Sequence, residues 1–99
     1  MSEFENIFSS IKIGQLEIKN RTVMGPMGTG FTDSETNFPT EQMATYYGER
    51  AKGGTGLIIV EQTVVEERGL WSPKGGGIWS DESIPKWKKE VDAVHEHDG

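Results

Sequence analysis

The sequence predicts an α/β fold with a parallel sheet covered by helices, and three observations lead to that prediction. Residues 57–60 form an uninterrupted apolar run, Leu-Ile-Ile-Val, with glycines before it and polar Glu61 and Gln62 after it. A strand that is apolar on both faces is typical of a parallel sheet in which neither face meets water. Ligands of parallel α/β folds bind at the carboxyl ends of the strands, so Glu61 and Gln62 mark a candidate site.

Two strand regions precede this run. Residues 11–19 alternate apolar and polar around Gly14 and Gln15, which predicts a hairpin with one wet face, placed as an appendage or lid. In this hairpin the residues expected to face each other are Ile11 and Ile13, Leu16 and Ile18. A second strand lies within 22–27 and should end near Gly25, because Pro26 cannot donate to a ladder. The glycines of residues 25–30 then let the backbone approach another group closely.

Two helices are predicted. The first begins after Thr40, a suitable N-cap, and ends at Gly53 and Gly54. Its apolar face contains Met43, Ala44, Tyr47 and Ala51. The second begins near Ile84 with Ser83 as its cap and Pro85 in its first turn. Its expected buried stripe is Trp87, Val91 and Val94, and its expected water-facing residues are Lys86, Lys88, Lys89, Glu90 and Asp92.

Residues 64–83 are predicted to form a long polar loop between the second strand and the second helix. Loops of this length are often functional. The full order is therefore hairpin, strand, helix, strand, long loop and helix. Two parallel strands cannot close a barrel, and both would have bare edges. We therefore expect the first quarter of a larger protein, unstable alone or dependent on a partner that covers those edges.

Composition excludes several classes of function. The formal net charge of −6 and the pI near 4.8 disfavour nucleic acid and anionic membranes as partners. The absence of cysteine excludes disulfides, thiolate metal sites and a cysteine nucleophile. The longest apolar run is too short to span a bilayer, and the acidic start lacks the features of a signal peptide. We expect a soluble, cytoplasmic protein.

Other chemical candidates are weaker. His95 and His97 are two apart, so on a helix they point in different directions and cannot hold one metal ion. The glycines of residues 28–30 and 75–77 lack the spacing of a phosphate-binding loop. Tyr46 and Tyr47 could offer a phenolic acid, although packing is the preferred interpretation. Glu61 is either a general base or a solvent-exposed carboxylate, and the sequence leaves both open.

Taken together, these segments resemble the N-terminal part of the old yellow enzyme family of flavin oxidoreductases. The segment 24–30, Met-Gly-Pro-Met-Gly-Thr-Gly, is most similar to the branch of 2,4-dienoyl-CoA reductases and enoate or bile-acid reductases. The match covers nearly the whole chain in order. Its other residues are Ile13, Gly14, Leu16, Lys19, Asn20 and Arg21; Tyr47 and residues 50–54; residues 56–59 with Glu61; Arg68 and Gly69; and residues 78–81 with Ile84.

The resemblance implies the N-terminal portion of a (β/α)8 TIM barrel that binds FMN at its carboxyl-terminal face. NADH or NADPH would be the reductant and a small-molecule activated alkene the substrate. The implied cofactor-binding residues are Pro26, Met27 and Gly28 along the flavin, and Gln62 at its pyrimidine half. Gly28 stands where many relatives carry Cys or Thr, Gly30 replaces an aromatic residue of some relatives, and Gln62 stands where the family often has a small residue.

The resemblance also sets the expected organisation. Residues 1–99 would be part of a single FMN-binding barrel domain, with residues 7–20 as a capping hairpin and residues 21–99 as the first two βα units. Catalytic residues, and any iron–sulfur or FAD groups that some relatives carry, would lie beyond residue 99. A homo-oligomer of the full-length protein is compatible with this expectation.

Three functional hypotheses follow. The first is an FMN-dependent ene-reductase of which this chain is an N-terminal fragment, inactive alone. The alternative is a non-catalytic βαβ module that binds a partner chain or completes a split barrel. A third, another flavin barrel such as a dihydroorotate dehydrogenase relative, is disfavoured by the hairpin and by Trp79, Ser80 and Asp81.

Overall fold

The computed structural model describes residues 4–99, which form three two-stranded sheets and two helices. The strands are β1 (Ile11–Ile13), β2 (Leu16–Ile18), β3 (Val23–Met24), β4 (Leu57–Ile58), β5 (Thr63–Val64) and β6 (Gly76–Gly77). The helices are α1 (Glu41–Lys52) and α2 (Ile84–His95). Part of the acidic start, residues 1–3, lies outside the described residues, so the expected lack of a signal peptide stays a prediction.

The amino-terminal hairpin is confirmed. Strands β1 and β2 pair antiparallel, with Ile11 opposite Ile18 and Ile13 opposite Leu16. The turn depends on Gly14, whose φ of +61° is a conformation that side chains with a Cβ rarely adopt. Only Ile18 of these four isoleucine and leucine residues is buried, at 6% exposure. The hairpin therefore meets the rest of the chain mainly through the end of β2.

The βαβ unit is also confirmed. Strands β3 and β4 run parallel, with Val23 beside Leu57 and Met24 beside Ile58. Between them, α1 begins at an extended Thr40 whose Oγ1 accepts a hydrogen bond from the Met43 amide at 3.3 Å. It ends where the Gly53 amide bonds back to carbonyls of the last turn. Its predicted inner face, including Met43, Tyr47 and Ala51, lies buried.

Helix α2 departs from the prediction in two respects. Ser83 has helical backbone angles and makes no cap to the helix; its Oγ donates to the Ser80 carbonyl at 2.7 Å. The reason is that a 3₁₀ turn, Asp81–Ser83, runs directly into α2. The predicted buried stripe of Trp87, Val91 and Val94 is wrong at Val91, which is 44% exposed, and Glu90, expected to face water, is 1% exposed. Trp87, Glu90 and Val94 are spaced by three and four residues, which puts Glu90 on the inner face.

The long loop predicted for residues 64–83 is wrong in part, because it contains a parallel pair. Strand β6 lies beside β5, with Thr63 opposite Gly76 and Val64 opposite Gly77. Asn37, with φ of +64°, anchors this pair from the preceding loop. Its Nδ2 donates to the Pro73 and Gly75 carbonyls at 2.8 and 3.0 Å, and the Gly77 amide donates to its carbonyl at 2.9 Å.

The apolar run 57–60 does not have both faces dry, contrary to the prediction. Ile59 is 44% exposed, and Leu57, Ile58 and Val60 are only partly covered. Within residues 4–99 the two-stranded sheet of β3 and β4 is therefore incompletely covered, and the expected bare edges are present in this part of the chain. Both helices contain 12 residues, and neither has the length and hydropathy of a segment that crosses a membrane.

Candidate functional site at the carboxyl ends of β3 and β4

Parallel pairing brings the ends of β3 and β4 to one edge of the sheet. The Leu57 amide donates to the Thr22 carbonyl at 3.1 Å, and the Ile59 amide donates to the Met24 carbonyl at 3.0 Å. The loop 25–30 leaves β3 at this edge, and Glu61 and Gln62 follow β4 there. This is the place where parallel α/β folds bind ligands.

A hydrogen-bonded chain holds this edge together. The Thr29 hydroxyl donates to Glu61 Oε1 at 2.5 Å, and the Thr29 amide is 3.4 Å from the same oxygen. The Glu61 amide in turn donates to the Tyr47 hydroxyl of α1 at 3.0 Å. Glu61 is 2% exposed and Tyr47 is fully buried. The loop after β3, the end of β4 and the core face of α1 are therefore connected by direct bonds.

The four predicted cofactor-binding residues lie on the outer side of this edge. Pro26, Met27, Gly28 and Gln62 are all exposed, and Met27 retains 55% of its accessible surface. Their location at the two strand ends is the one expected from the sequence. Their role toward a cofactor stays a prediction.

Gly28 shows how this edge could accommodate a flat ligand. A Cβ built on Gly28 has no heavy atom within 4 Å among the described residues, and its φ lies outside the range that favours glycine. Neither packing nor backbone strain in this part of the chain therefore requires a glycine here. Pro26 and Met27 beside an open glycine form an exposed, largely apolar surface at this edge.

The structure decides between alternatives that the sequence left open at Glu61 and Tyr47. The alternative of a solvent-exposed carboxylate at Glu61 is wrong, because the side chain is buried behind the loop and accepts from Thr29. Burial raises the pKa of Tyr47 to about 12, with the charges of Glu61 and Glu90 contributing in the same direction. Tyr47 therefore stays a neutral phenol in the core, and its preferred interpretation as a packing residue is confirmed. Thr29, whose hydroxyl bonds the Glu61 carboxylate, was not a candidate in the sequence analysis, because no local pattern pointed to it.

Tyr46 also packs. Its ring meets the Phe31 ring edge-on with centroids 5.6 Å apart, and the Arg50 guanidinium lies 3.9 Å from its centroid. The aromatic contact joins α1 to the loop that follows β3. Tyr46 therefore supports the same region from the helix side.

The second glycine cluster is a packing feature. A Cβ on Gly77 would collide with the Trp79 ring, and one on Gly75 would come within 3.2 Å of Leu70 and Trp71. The Trp87 indole nitrogen donates to the Gly77 carbonyl at 2.9 Å. Close approach of the tryptophans accounts for these glycines, so the phosphate-loop alternative has no support at residues 75–77.

The two histidines lie away from the site, near the end of α2. His95 is exposed, and the carbonyl of His97 accepts from Lys19 Nζ at 2.9 Å. Within residues 4–99 no three His, Cys, Asp or Glu side chains come together as a metal-binding group.

Glu90 is a buried ionisable residue that the sequence interpretation placed on the wrong face. Neither of its carboxyl oxygens has a hydrogen-bond partner among the described residues. Burial, and next the nearby charge of Glu61, raise the pKa of Glu90 to about 7. Glu90 lines a groove of about 220 Å³ along the open side of β4, with Ile18, Leu57, Ile58 and Val94. The spacing of three and four residues between Trp87, Glu90 and Val94 was the sequence signal that could have placed Glu90 on the buried face of α2.

Comparisons with known proteins agree with this architecture. Residues 6–99 match the NADH:flavin oxidoreductase / NADH oxidase family. An NADPH dehydrogenase of Listeria monocytogenes serotype 4b is 41% identical over 91 residues, which are 92% of this chain and 27% of that protein. The chain therefore spans about a quarter of the length of this relative.

Two solved structures superpose closely on the chain. The old yellow enzyme from Trypanosoma cruzi has a TM-score of 0.89 and 33% identity, over 99% of this chain and 26% of that one. A 2-naphthoyl-CoA reductase in complex with 2-naphthoyl-CoA has a TM-score of 0.93 and 27% identity, over 97% of this chain and 14% of that one. The small sheets of residues 4–99 correspond to part of the barrel of such enzymes and do not close a barrel themselves.

Proposed function

Because this chain belongs to the NADH:flavin oxidoreductase / NADH oxidase family, the family of the old yellow enzymes, we propose that it supplies the first part of an FMN-dependent oxidoreductase. The observation that carries the proposal is the shared edge at which the loop 25–30 meets the end of β4. Residues 7–20 would act as the capping hairpin and residues 21–99 as the first two βα units, in a cytoplasmic protein.

The chain's residues would bind and orient FMN rather than react. Pro26, Met27 and Gly28 would lie along one side of the flavin, where their exposed surface and the open space at Gly28 support a close approach. Gln62 would reach the pyrimidine half of the ring, through its backbone or its amide. The chemistry that FMN supplies when bound is transfer of a hydride from NADH or NADPH to the β-carbon of an activated alkene.

We assign no catalytic residue to residues 4–99. Glu61 and Tyr47 are both buried; the Glu61 amide donates to the Tyr47 hydroxyl and the Glu61 carboxylate accepts from Thr29, which supports a structural role for both. The substrate class we propose is an α,β-unsaturated thioester or ketone. The structural similarity to a 2-naphthoyl-CoA reductase favours the thioester, in agreement with the branch suggested by residues 24–30.

The test uses the full-length protein that contains these residues. After purification it should be yellow, bind FMN in a one-to-one ratio and, with oxygen excluded, oxidise NADH or NADPH over many turnovers only when an alkene acceptor is present. The acceptors to compare are an enoyl-CoA thioester and a cyclic enone, and their saturated analogues are the negative controls. A folded full-length protein that binds no FMN would contradict the proposal.

A second candidate function is a non-catalytic βαβ module that completes a split barrel with another chain. The observation that favours it is the bare edge of β4 with its apolar groove. A stable stoichiometric complex with a second polypeptide carrying the remaining strands would support this function. Absence of such a complex when both polypeptides are expressed together would exclude it.

A further inference from the structure

We propose that Thr29 and Glu61 form a latch that positions the loop 25–30 against the flavin. Both would be positioning residues, since they act through the exposed residues of the loop and not on the reacting atoms. This inference rests on the function proposed above and adds to it the residues that fix the site's geometry.

The latch satisfies the polar atoms of Thr29. The Thr29 hydroxyl donates to Glu61 Oε1 at 2.5 Å and accepts from the Phe31 amide at 3.2 Å. The Thr29 amide is also directed at Glu61 Oε1, at 3.4 Å. A hydrogen bond to a carboxylate is shorter and about twice as strong as one between neutral groups. Low solvent exposure of Glu61, 2%, protects it from competition by water.

The other end of the latch is fixed in the core. The Glu61 amide donates to the Tyr47 hydroxyl at 3.0 Å, and Tyr47 is fully buried on α1. Position 61 is thus held through its backbone, while its side chain holds the loop. A rigid residue in this place transmits the packing of α1 to the loop.

The residues before Thr29 lack comparable support. Pro26, Met27 and Gly28 are exposed, and added Cβ atoms at Gly25 and Gly28 would meet nothing within 4 Å among the described residues. A loop of this kind samples several conformations unless it is tied at a defined point. Thr29 is the residue that hydrogen-bonds it to the end of β4, so loss of the latch should weaken FMN binding by loosening the surface that receives it.

The experiment compares variants of the full-length protein. Thr29→Val removes the hydroxyl at nearly constant volume, whereas Thr29→Ser keeps the hydroxyl and removes the methyl group. Thr32→Val is the matched control, because Thr32 follows the loop 25–30 in the chain, is 5% exposed, and donates to the Lys74 carbonyl at 2.8 Å and not to Glu61. The measurements are the FMN dissociation constant, the flavin absorption spectrum, and the melting temperature of the FMN-free protein.

We expect Thr29→Val to raise the FMN dissociation constant about tenfold, equivalent to ~1.4 kcal/mol, and to shift the flavin spectrum. Thr29→Ser should stay within about twofold of the unmodified protein, which a purely volume-dependent effect would not produce. Thr32→Val should lower the melting temperature without changing FMN affinity. Glu61→Gln, which keeps an oxygen acceptor, should fall between Thr29→Val and Thr29→Ser.

Three results would overturn the latch. They are an unchanged FMN affinity in Thr29→Val, an equal loss of FMN affinity in Thr29→Val and Thr32→Val, or a failure of Thr29→Ser to retain FMN affinity. If Thr29→Val does not fold, the other two variants decide the question: the latch requires Thr29→Ser to bind FMN more tightly than Glu61→Gln, and the reverse order would overturn it. Failure of the unmodified protein to bind FMN would refute the proposed function instead, so the two failures are distinguishable.

Discussion

Glu90 is the residue whose surroundings most oppose its charge. It sits on the inner face of α2 at 1% exposure, and its two oxygens lack hydrogen-bond partners in the part of the chain that the structure describes. Glu61 faces it with a second carboxylate, and the Tyr47 phenol is the other titratable group that interacts with it. Burial and the charge of Glu61 together raise the pKa of Glu90 from 4.5 to about 7.

This raised pKa sets the direction of a pH effect on stability. Between pH 4.5 and about 7 the folded chain keeps the Glu90 proton and the unfolded chain loses it. The free energy of unfolding should therefore fall as pH rises through this range, by at most ~1.4 kcal/mol per pH unit, and level off above it. Glu90→Gln should remove this slope and be the more stable protein at alkaline pH.

The measurement is the urea midpoint of the full-length protein, followed by circular dichroism at about pH 5.5 and about pH 8. Glu49→Gln is the control, because Glu49 is an exposed glutamate on α1. An identical pH dependence in the unmodified chain and in Glu90→Gln would show that Glu90 has a compensating partner.

Gly28 gives a second prediction at the scale of one residue. Gly28→Leu should leave the stability of the FMN-free full-length protein within ~0.5 kcal/mol, since an added Cβ meets open space. The same side chain should occupy the space needed by a flat flavin and empty the site of FMN. The readout is the ratio of 450 nm to 280 nm absorbance after purification, with Gly28→Ala as an intermediate. Retained yellow colour at full occupancy would refute the role assigned to Gly28.

At the scale of elements, the two helices pack against each other at Gly48 of α1. A Cβ on Gly48 would lie 3.4 Å from the Ala93 Cβ and from the Ala93 carbonyl oxygen of α2. That distance accepts one methyl group and no more. A larger side chain at position 48 would therefore push the two helices apart at this point.

Gly48→Ala should therefore be neutral or up to ~1 kcal/mol stabilising, because alanine has the higher helix propensity. Gly48→Leu should destabilise the fold by about 1–3 kcal/mol through overpacking. Thr45→Leu, at an exposed position of α1, controls for leucine on this helix and should change stability little. Thermal unfolding of the full-length protein provides the comparison. Equal stability of Gly48→Leu and Gly48→Ala would mean that the helices separate freely.

The elements also show what the sequence can and cannot reveal. The hairpin, the N-cap at Thr40 and the end of β3 at Gly25 depend on local chemistry, and each was predicted. The β5–β6 pair was not, because glycines seldom favour strands and the pairing depends on Asn37, which lies far away in sequence. Glu90 was wrongly predicted to face water because its side chain is charged, whereas its helical spacing from Trp87 and Val94 places it on the buried face of α2. The Thr29–Glu61 bond joins residues 32 positions apart, and no local pattern signals it.

At the scale of the whole molecule, the described chain is elongated. Its dimensions are 51 × 25 × 21 Å and its radius of gyration is 15.0 Å, against ~13 Å for a compact domain of 100 residues. Large apolar side chains remain exposed in the amino-terminal segment 7–20 and just after β4, among them Phe8, Ile13, Leu16 and Ile59. These features agree with a segment whose core is completed by neighbouring strands and helices of a barrel.

The residues 1–99 alone should therefore show little or no change in the flavin spectrum when mixed with FMN. The reason is that one edge of the site cannot enclose the ring system without the rest of the barrel. A titration monitored by flavin fluorescence, with the full-length protein as the positive control, measures this. Stoichiometric binding by the short chain, with NADH oxidation, would contradict the prediction.

The bond between the Glu61 amide and the Tyr47 hydroxyl has a consequence for experiments on motion. An amide proton captured by a buried phenol exchanges with deuterium only when that phenol withdraws. The exchange rate of the Glu61 amide proton therefore reports how often α1 moves away from the sheet. The NMR signal of this one amide, followed in heavy water, would report local opening of α1 and of the site at the carboxyl ends of β3 and β4 in the same experiment.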